Sequence, residues 1–290
     1  MELHIAKNTQ ELSENLAAWI SNYIQEVLQD QPIFTWALSG GSTPKQLYTL
    51  LTKEPYKLII PWERIHFFWG DERAVPFEDE RNNARMAYDT LLNVVGVPSE
   101  NIHVMRTDIE PEAAAAEYEK ILQKYFEDSD TTFDLVLLGM GDDGHTLSLF
   151  PGTEVVHEKK AWVKAFFLKA QDMFRITLTA PVVNDAACVI FMATGTGKAL
   201  TLKSVIEGDF NAEKFPSQLI RPQDGELHWF VDEAAAGALE MQVLLIATYC
   251  KSLSGITGEA FPFQEDNQQK FRESTNVVVN RIAERDALRR

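Results

Sequence analysis

Cysteine is nearly absent from this 290-residue chain, which holds two, and that scarcity removes a small disulfide-stapled domain from consideration. Cys188 and Cys250 each sit in an apolar run, so both read as small core residues in a reducing, cytoplasmic setting. Long hydrophobic runs are missing too: no stretch reaches the roughly 18 apolar residues of a membrane span. The opening residues MELHIAKNTQELSENL lack the basic region, apolar stretch and small-residue cleavage site of a secretory signal. Positive charge is scarce, with 27 lysines and arginines against 43 aspartates and glutamates and a net charge of -16. No general basic field attracts nucleic acid or anionic lipid, so neither nucleic acid nor membrane is an expected partner. Any anionic ligand must meet a local basic pocket.

What is present reads as an α/β fold. Leu12, Leu16, Trp19, Ile20, Tyr23 and Val27 recur at helical spacing after Asn8, with Glu11 placed as in a capping box. Short apolar or β-branched runs follow at residues 33–38, 65–69, 133–138, 162–167, 175–179 and 188–194, and 229–231 offers one more. Helical stretches at 83–95, 111–126 and 198–206 lie between several of them. Runs that are apolar throughout, interleaved with helices, predict a largely parallel sheet with helices on both faces. Residues 237–290 differ in texture, with seven basic and seven acidic side chains, so the whole acidic excess belongs to residues 1–236. The expected division is an α/β domain over 1–236 and a helical C-terminal extension over 237–290.

In an open parallel sheet ligands bind beyond the carboxyl ends of the strands, so the loops after the apolar runs carry the chemistry. After residues 33–38 comes Ser39-Gly40-Gly41-Ser42-Thr43-Pro44, whose glycines allow a tight turn. Its hydroxyls and helix-start N–H groups suit a phosphate, against the plainer reading of a capped turn. After 65–69 comes Gly70-Asp71-Glu72-Arg73. Arg73 can bind phosphate or carboxylate bidentately, while a surface ion-pair group is the bland alternative. After 133–138 the loop Gly139-Met-Gly-Asp-Asp-Gly-His145 sets a histidine beside Asp142 and Asp143, a proton-exchanging group at the end of a central strand. After 188–194, Gly195-Thr-Gly197-Lys198 offers a lysine at a helix start. Arg175 opens the run 175–179, where a solvated strand-end arginine is the default.

Several tempting motifs fail. The G-x-G-x-x-G from Gly139 lacks a following helix and the acidic residue that a dinucleotide requires. Gly197-Lys198 lacks the earlier glycine and the Ser or Thr of a P-loop, with Met192 and Ala199 in those places. Asp142, Asp143 and His145 lack a second histidine or cysteine at metal-ligand spacing, so no metal is expected. Ser148 lacks the G-x-S-x-G setting of an esterase nucleophile. His4, His66, His103, His157 and His228 read as structural or surface residues.

In order along the chain, SGGSTP, FFWGDERAVP, NNARMAYDTLL, LLGMGDDGHTLSLFP, RITLT, ATGTGKA and HWFVDEAA resemble the 6-phosphogluconolactonase family, from about Ile5 to Ala236. The resemblance implies a Rossmann-like α/β fold shared with sugar-phosphate isomerases. It also implies hydrolysis of 6-phospho-D-glucono-1,5-lactone in the oxidative pentose phosphate pathway, with no cofactor and a sugar-phosphate lactone as the partner. Carried onto matching positions, it implies His145 as the catalytic histidine, with Asp143 and Asp71 as further candidates. Gly40, Gly41, Ser42, Thr43, Arg73, Arg175 and Lys198 become candidate phosphate or substrate contacts. A glucosamine-6-phosphate isomerase or deaminase is the enzymatic rival. Those enzymes continue their histidine loop to a glutamate, where this chain has Phe150 before Pro151. A non-catalytic sugar-phosphate sensor is the rival of a different class. For residues 237–290, two apolar helical stripes suggest packing or a homodimer.

Overall fold

The computed structural model describes residues 1–240. Cys250 and nearly all of the 237–290 extension, including both of its expected helices, lie outside the described residues. Nine strands form among the described ones: β1 (Glu2–Ala6), β2 (Phe34–Leu38), β3 (Ile65–Trp69), β4 (Asp71–Arg73), β5 (Leu135–Gly139), β6 (Val163–Leu168), β7 (Met173–Leu178), β8 (Cys188–Ala193) and β9 (Glu226–Asp232). Six of them build one sheet in the order β1-β9-β8-β5-β2-β3, with every pairing parallel.

The parallel strands are buried on both sides, which explains their unbroken apolar runs. On β5, Leu135 and Leu137 face one core and Val136 and Leu138 the other. The first core is closed by helix α1 (Thr9–Asp30) and helix α2 (Ser42–Leu51), through Leu12, Leu16, Ile20, Leu47 and Leu51. The second is closed by helix Pro111–Phe126 through Ala114, Tyr118 and Leu122. Asn8 caps α1 by accepting from the N–H groups of Gln10 and Glu11, both at 3.0 Å. Glu11 turns back to the N–H of Lys7 at 2.7 Å rather than to that of Asn8, so the reciprocal arm of the box lands one residue early.

Five segments depart from the sequence reading. Residues 162–168 and 173–178 do not join the parallel sheet. They pair antiparallel as β6 and β7, and with β4 they form a separate sheet ordered β4-β7-β6. Asp71 to Arg73 is therefore strand rather than loop. Strand β1 falls on an opening segment that gave no clear strand signal. The helix of 83–95 carries a π-helical turn over Tyr88–Leu92 before closing at Gly96, which has a φ of 74°.

Gly70 joins the two sheets. Its N–H donates to Leu38 O of β2 at 2.9 Å, and its carbonyl accepts from the N–H of Leu178 of β7 at 2.8 Å. A side chain there would meet Leu147 Cδ2 at 2.6 Å, so glycine lets Leu147 pack directly on the crossing. Along the large sheet the chain runs from β2 outward to β3, and later strands build on the other side of β2, starting with β5. The reversal of strand order between β2 and β5 opens a crevice at their carboxyl ends.

Candidate active site

The loop after β5 makes one flank of that crevice. His145 Nδ1 lies 2.5 Å from Asp143 Oδ1, and the same oxygen accepts from the His145 N–H at 3.1 Å. The opposite face of the imidazole stacks on Phe150, with ring centroids 4.1 Å apart. The loop is tied by Gly141 N–H to His145 O at 2.8 Å and Gly144 N–H to Gly141 O at 3.1 Å. Those two amides are therefore committed within the loop, which narrows the expectation that amides of residues 139–144 receive an oxyanion. A Cβ on Gly141 would lie 2.0 Å from His145 Nδ1, so only glycine lets the ring reach Asp143. The hydrogen bond from His145 is the main cause that holds the Asp143 carboxyl below its ordinary range. A carboxylate on Nδ1 fixes the neutral imidazole as the Nδ1–H tautomer and leaves Nε2 with its lone pair.

The loop after β2 makes the other flank. Helix α2 starts at Ser42, and Gly41 precedes it with a φ of 110° and no side-chain cap. Tyr48 OH holds the loop by accepting from Ser39 N–H at 3.0 Å and donating to Ser39 O at 2.9 Å. Gly40 packs so tightly on Asn83 that a Cβ would lie 1.8 Å from Asn83 Oδ1. Ser42 is exposed and Thr43 half-buried, with Thr43 Oγ1 3.2 Å from Thr194 Oγ1 in the loop after β8.

The small sheet supplies the cations. Arg73 of β4 and Arg175 of β7 are direct cross-strand partners. Two guanidiniums so placed repel each other unless an acid or an anion sits between them. Asp71, two residues along β4, is that acid: its Oδ2 accepts from Arg175 Nη2 at 3.0 Å and from Ser148 Oγ at 2.6 Å. Arg175 Nε donates to Ser148 Oγ at 2.9 Å and Nη1 to Gln171 Oε1 at 3.0 Å. Burial alone would raise the Asp71 carboxyl. Arg175, Arg73 and the Ser148 hydrogen bond outweigh it and hold that carboxyl below its ordinary value. Arg175 is buried in mid-strand, its side chain 4% exposed, so the solvated strand-end reading is corrected. Arg73 Nη1 donates to Arg81 O at 2.7 Å, while its buried Nε has no hydrogen-bond partner among the described residues.

Glu72 points to the other side of β4. It accepts from the N–H groups of Asn83 and Arg73 at Oε1 and of Ala84 at Oε2, each at 2.8 Å. Lys198 Nζ lies 2.6 Å from Asp142 Oδ1, and Thr201 Oγ1 donates to Asp142 O at 2.7 Å, so the loop after β8 leans on the histidine loop.

The expected residues thus fall into four groups. His145 and Asp143 touch, Asp71 and Arg175 form an ion pair with Arg73 opposite, and Lys198 is paired with Asp142. Gly40, Gly41, Ser42 and Thr43 line the facing loop. Sequence reasoning passed over Ser148 and Asn83 as site-builders. Ser148 was weighed only as a nucleophile, whereas it is a buried link between Asp71 and Arg175. No spacing rule exposes that link, because its partners lie 77 and 27 residues away.

Comparisons agree with this architecture. A family model described as glucosamine-6-phosphate isomerases/6-phosphogluconolactonase matches residues 7–229. The chain is 40% identical over 222 residues to a 6-phosphogluconolactonase of Nostoc sp., covering 75% of this chain and 90% of that one. It is 37% identical over 241 residues to a probable chloroplastic 6-phosphogluconolactonase of Oryza sativa subsp. indica, covering 79% and 73%. Among solved structures, a 6-phosphogluconolactonase from Trypanosoma cruzi superposes with a TM-score of 0.73 at 30% identity, covering 82% of this chain and 97% of that one.

Proposed function

We propose, for a chain that belongs to the family of glucosamine-6-phosphate isomerases and 6-phosphogluconolactonases, both an activity and a division of labour among its residues. The protein is a 6-phosphogluconolactonase: it hydrolyses 6-phospho-D-glucono-1,5-lactone to 6-phospho-D-gluconate in the pentose phosphate pathway. The observation that carries the residue assignment is the His145–Asp143 contact at 2.5 Å, at the carboxyl end of a central parallel strand.

In this reading Nδ1–H of His145 donates to Asp143, and Nε2 takes a proton from water as the water oxygen bonds to C1 of the lactone. The ring C1–O bond then breaks, and the imidazolium returns that proton to the departing ring oxygen. Asp143, held ionised, orients the ring and stabilises its cationic form. Arg73, Arg175 and the start of α2 at Ser42 and Thr43 hold the phosphate. Binding at that remote group keeps C1 in place. Asp71 does not touch the reacting atoms here; it neutralises and aims Arg175. Lys198 exchanges its Asp142 contact for the substrate. The aromatic ring of Phe150 at the place of the isomerase glutamate favours hydrolysis over isomerisation.

Among the described residues no helix is long and apolar enough to cross a membrane. The buried, unpaired Cys188 supports a reducing compartment such as the cytoplasm. The apolar stripes of residues 237–290 support a homodimer contact there. A protein truncated after Ala236 that kept its size in solution and its stability would remove that contact.

The test is the rate at which freshly made lactone disappears with and without the purified protein. Acceleration well beyond the spontaneous rate, lost in His145→Ala, is expected. Ketose phosphate formed from glucosamine 6-phosphate would identify an isomerase instead, and substrate binding without acceleration a sensor.

A further inference from the structure

The amino ends of the parallel strands, opposite the crevice, gather side chains that the hydrolysis does not use. Edge strand β1 pairs with β9 in a register that sets Glu2 against His228 and His4 against Phe230. His4 Nε2 lies 3.2 Å from His228 Nδ1. Glu2 Oε2 lies 3.6 Å from that nitrogen of His228 and 3.8 Å from that nitrogen of His4. Two imidazole nitrogens and a carboxylate oxygen thus form a near-equilateral triangle at the sheet edge. We propose that Glu2, His4 and His228 bind a divalent transition-metal ion, zinc foremost, which clamps β1 onto β9.

The size of the triangle is the first support. Ligands about 2.0–2.1 Å from a tetrahedral zinc stand roughly 3.3 Å apart. The three separations lie close to that spacing, and a point equidistant from the three atoms is about 2.1 Å from each. Shifts of a few tenths of an ångström by exposed Glu2 complete the geometry.

The surroundings of the histidines are the second. His228 is buried, and its Nε2 lies 3.0 Å from Glu226 Oε2. A carboxylate accepting Nε2–H turns the Nδ1 lone pair toward Glu2 and His4, the outer arrangement that orients metal-binding histidines. The His4 ring stacks on Phe230 with centroids 4.2 Å apart, which fixes its orientation. Cys188 with Glu226 and His228 forms an overlapping group.

Two histidines and one carboxylate, with the fourth position open to water, suit zinc. Copper would compete on intrinsic affinity. The metal-free alternative is an ordinary hydrogen bond from His4 Nε2–H to His228 Nδ1.

The full-length protein, stripped with chelator and titrated with zinc chloride in a calorimeter, tests the site. One equivalent should bind at this site and raise the unfolding temperature. Glu2→Gln and His4→Gln, both at accessible positions, should each weaken that binding at least tenfold while unfolding like the metal-free parent. His145→Ala should bind as the parent does. Cobalt loaded in place of zinc should give the intense visible absorption of a tetrahedral site, absent from His4→Gln. No saturable binding, binding that survives in His4→Gln, or binding that vanishes in His145→Ala would each overturn the assignment. The last would place the ion in the histidine loop instead.

Discussion

The two sheets furnish the crevice in different ways. The parallel sheet offers the proton-transfer group proposed above on a loop beyond a strand end, with the His145 side chain 29% exposed. The antiparallel sheet offers its charges within the strands, with the Arg175 side chain 4% exposed and neutralised from behind by Asp71. A group that exchanges protons needs access to water and substrate. A cation that must hold an anion in one place gains from a rigid ladder and a low-dielectric wall. Chemistry and stability should therefore separate between the two regions.

His145→Ala is the strongest way to break that separation. It should lower the hydrolysis rate by about 10²–10⁴-fold, the usual reach of a positioned acid–base group. The unfolding midpoint should barely move, since the side chain is a partly exposed loop group. A large loss of stability would show that the ring supports the loop, and the two regions would no longer differ in kind.

Asp71→Asn probes the other side and should act on folding first. Removing one partner of a buried ion pair costs about 3–5 kcal/mol, because Arg175 is left buried and unneutralised. The pH dependence follows from the sign of the shift. The folded carboxyl lies below its ordinary value, so its stabilisation is present above that ordinary value and is lost as pH falls through the folded one. Denaturant titrations across the acid range should show a steep acid limb in the parent and a flatter one in the variant. Equal slopes would mean that Asp71 contributes little to stability.

Gly141→Ala sharpens the comparison without touching a reactive group. Its Cβ would fall 2.0 Å from His145 Nδ1, displacing the ring from Asp143. A misplacement of about 1 Å at a reacting group can cost on the order of 10²-fold in rate. The same change should leave the Asp71–Arg175 ladder, and hence most of the stability, in place. Steady-state kinetics beside a thermal melt would separate the two effects. Near-parental turnover would show that the loop yields and that the contact at Nδ1 is not required.

These contrasts also mark what the sequence could disclose. The parallel strands were legible because burial on both faces leaves an unbroken apolar run, and β3 matched its run residue for residue. The loops at their ends were legible because glycine, acid and histidine cluster there. The antiparallel sheet was legible only in part. The runs behind β6 and β7 were visible, but nothing in them announced an antiparallel pairing, and β4 has only three residues, Asp71, Glu72 and Arg73, whose composition reads as loop. The strand character of β4 comes from pairing with β7 about a hundred residues away, which no local pattern encodes. For the same reason Arg175 looked like an exposed strand end and Ser148 like a spare hydroxyl. The His4–His228 contact joins residues 224 apart and was equally hidden.

Glu72 gives the finest test, because it neighbours Asp71 on one strand and responds to burial in the opposite sense. Burial pushes its carboxyl from an ordinary 4.5 up to about 7, against three backbone N–H donors that favour the charged form. Between those values the folded state binds more protons than the unfolded one, so this group makes stability decline as pH rises from 4.5 to about 7. Glutamine in its place keeps one acceptor for Asn83 and Arg73 but can turn an NH2 toward the Ala84 N–H, a mismatch costing about 1–3 kcal/mol. The gap between parent and Glu72→Gln should be widest in mild acid and narrow toward neutrality, measured by denaturant midpoints at fixed ionic strength. A gap that widens with pH would mean that the three N–H donors outweigh burial. Asp71 and Glu72 would then be ionised alike, and the rise at Glu72 would be absent.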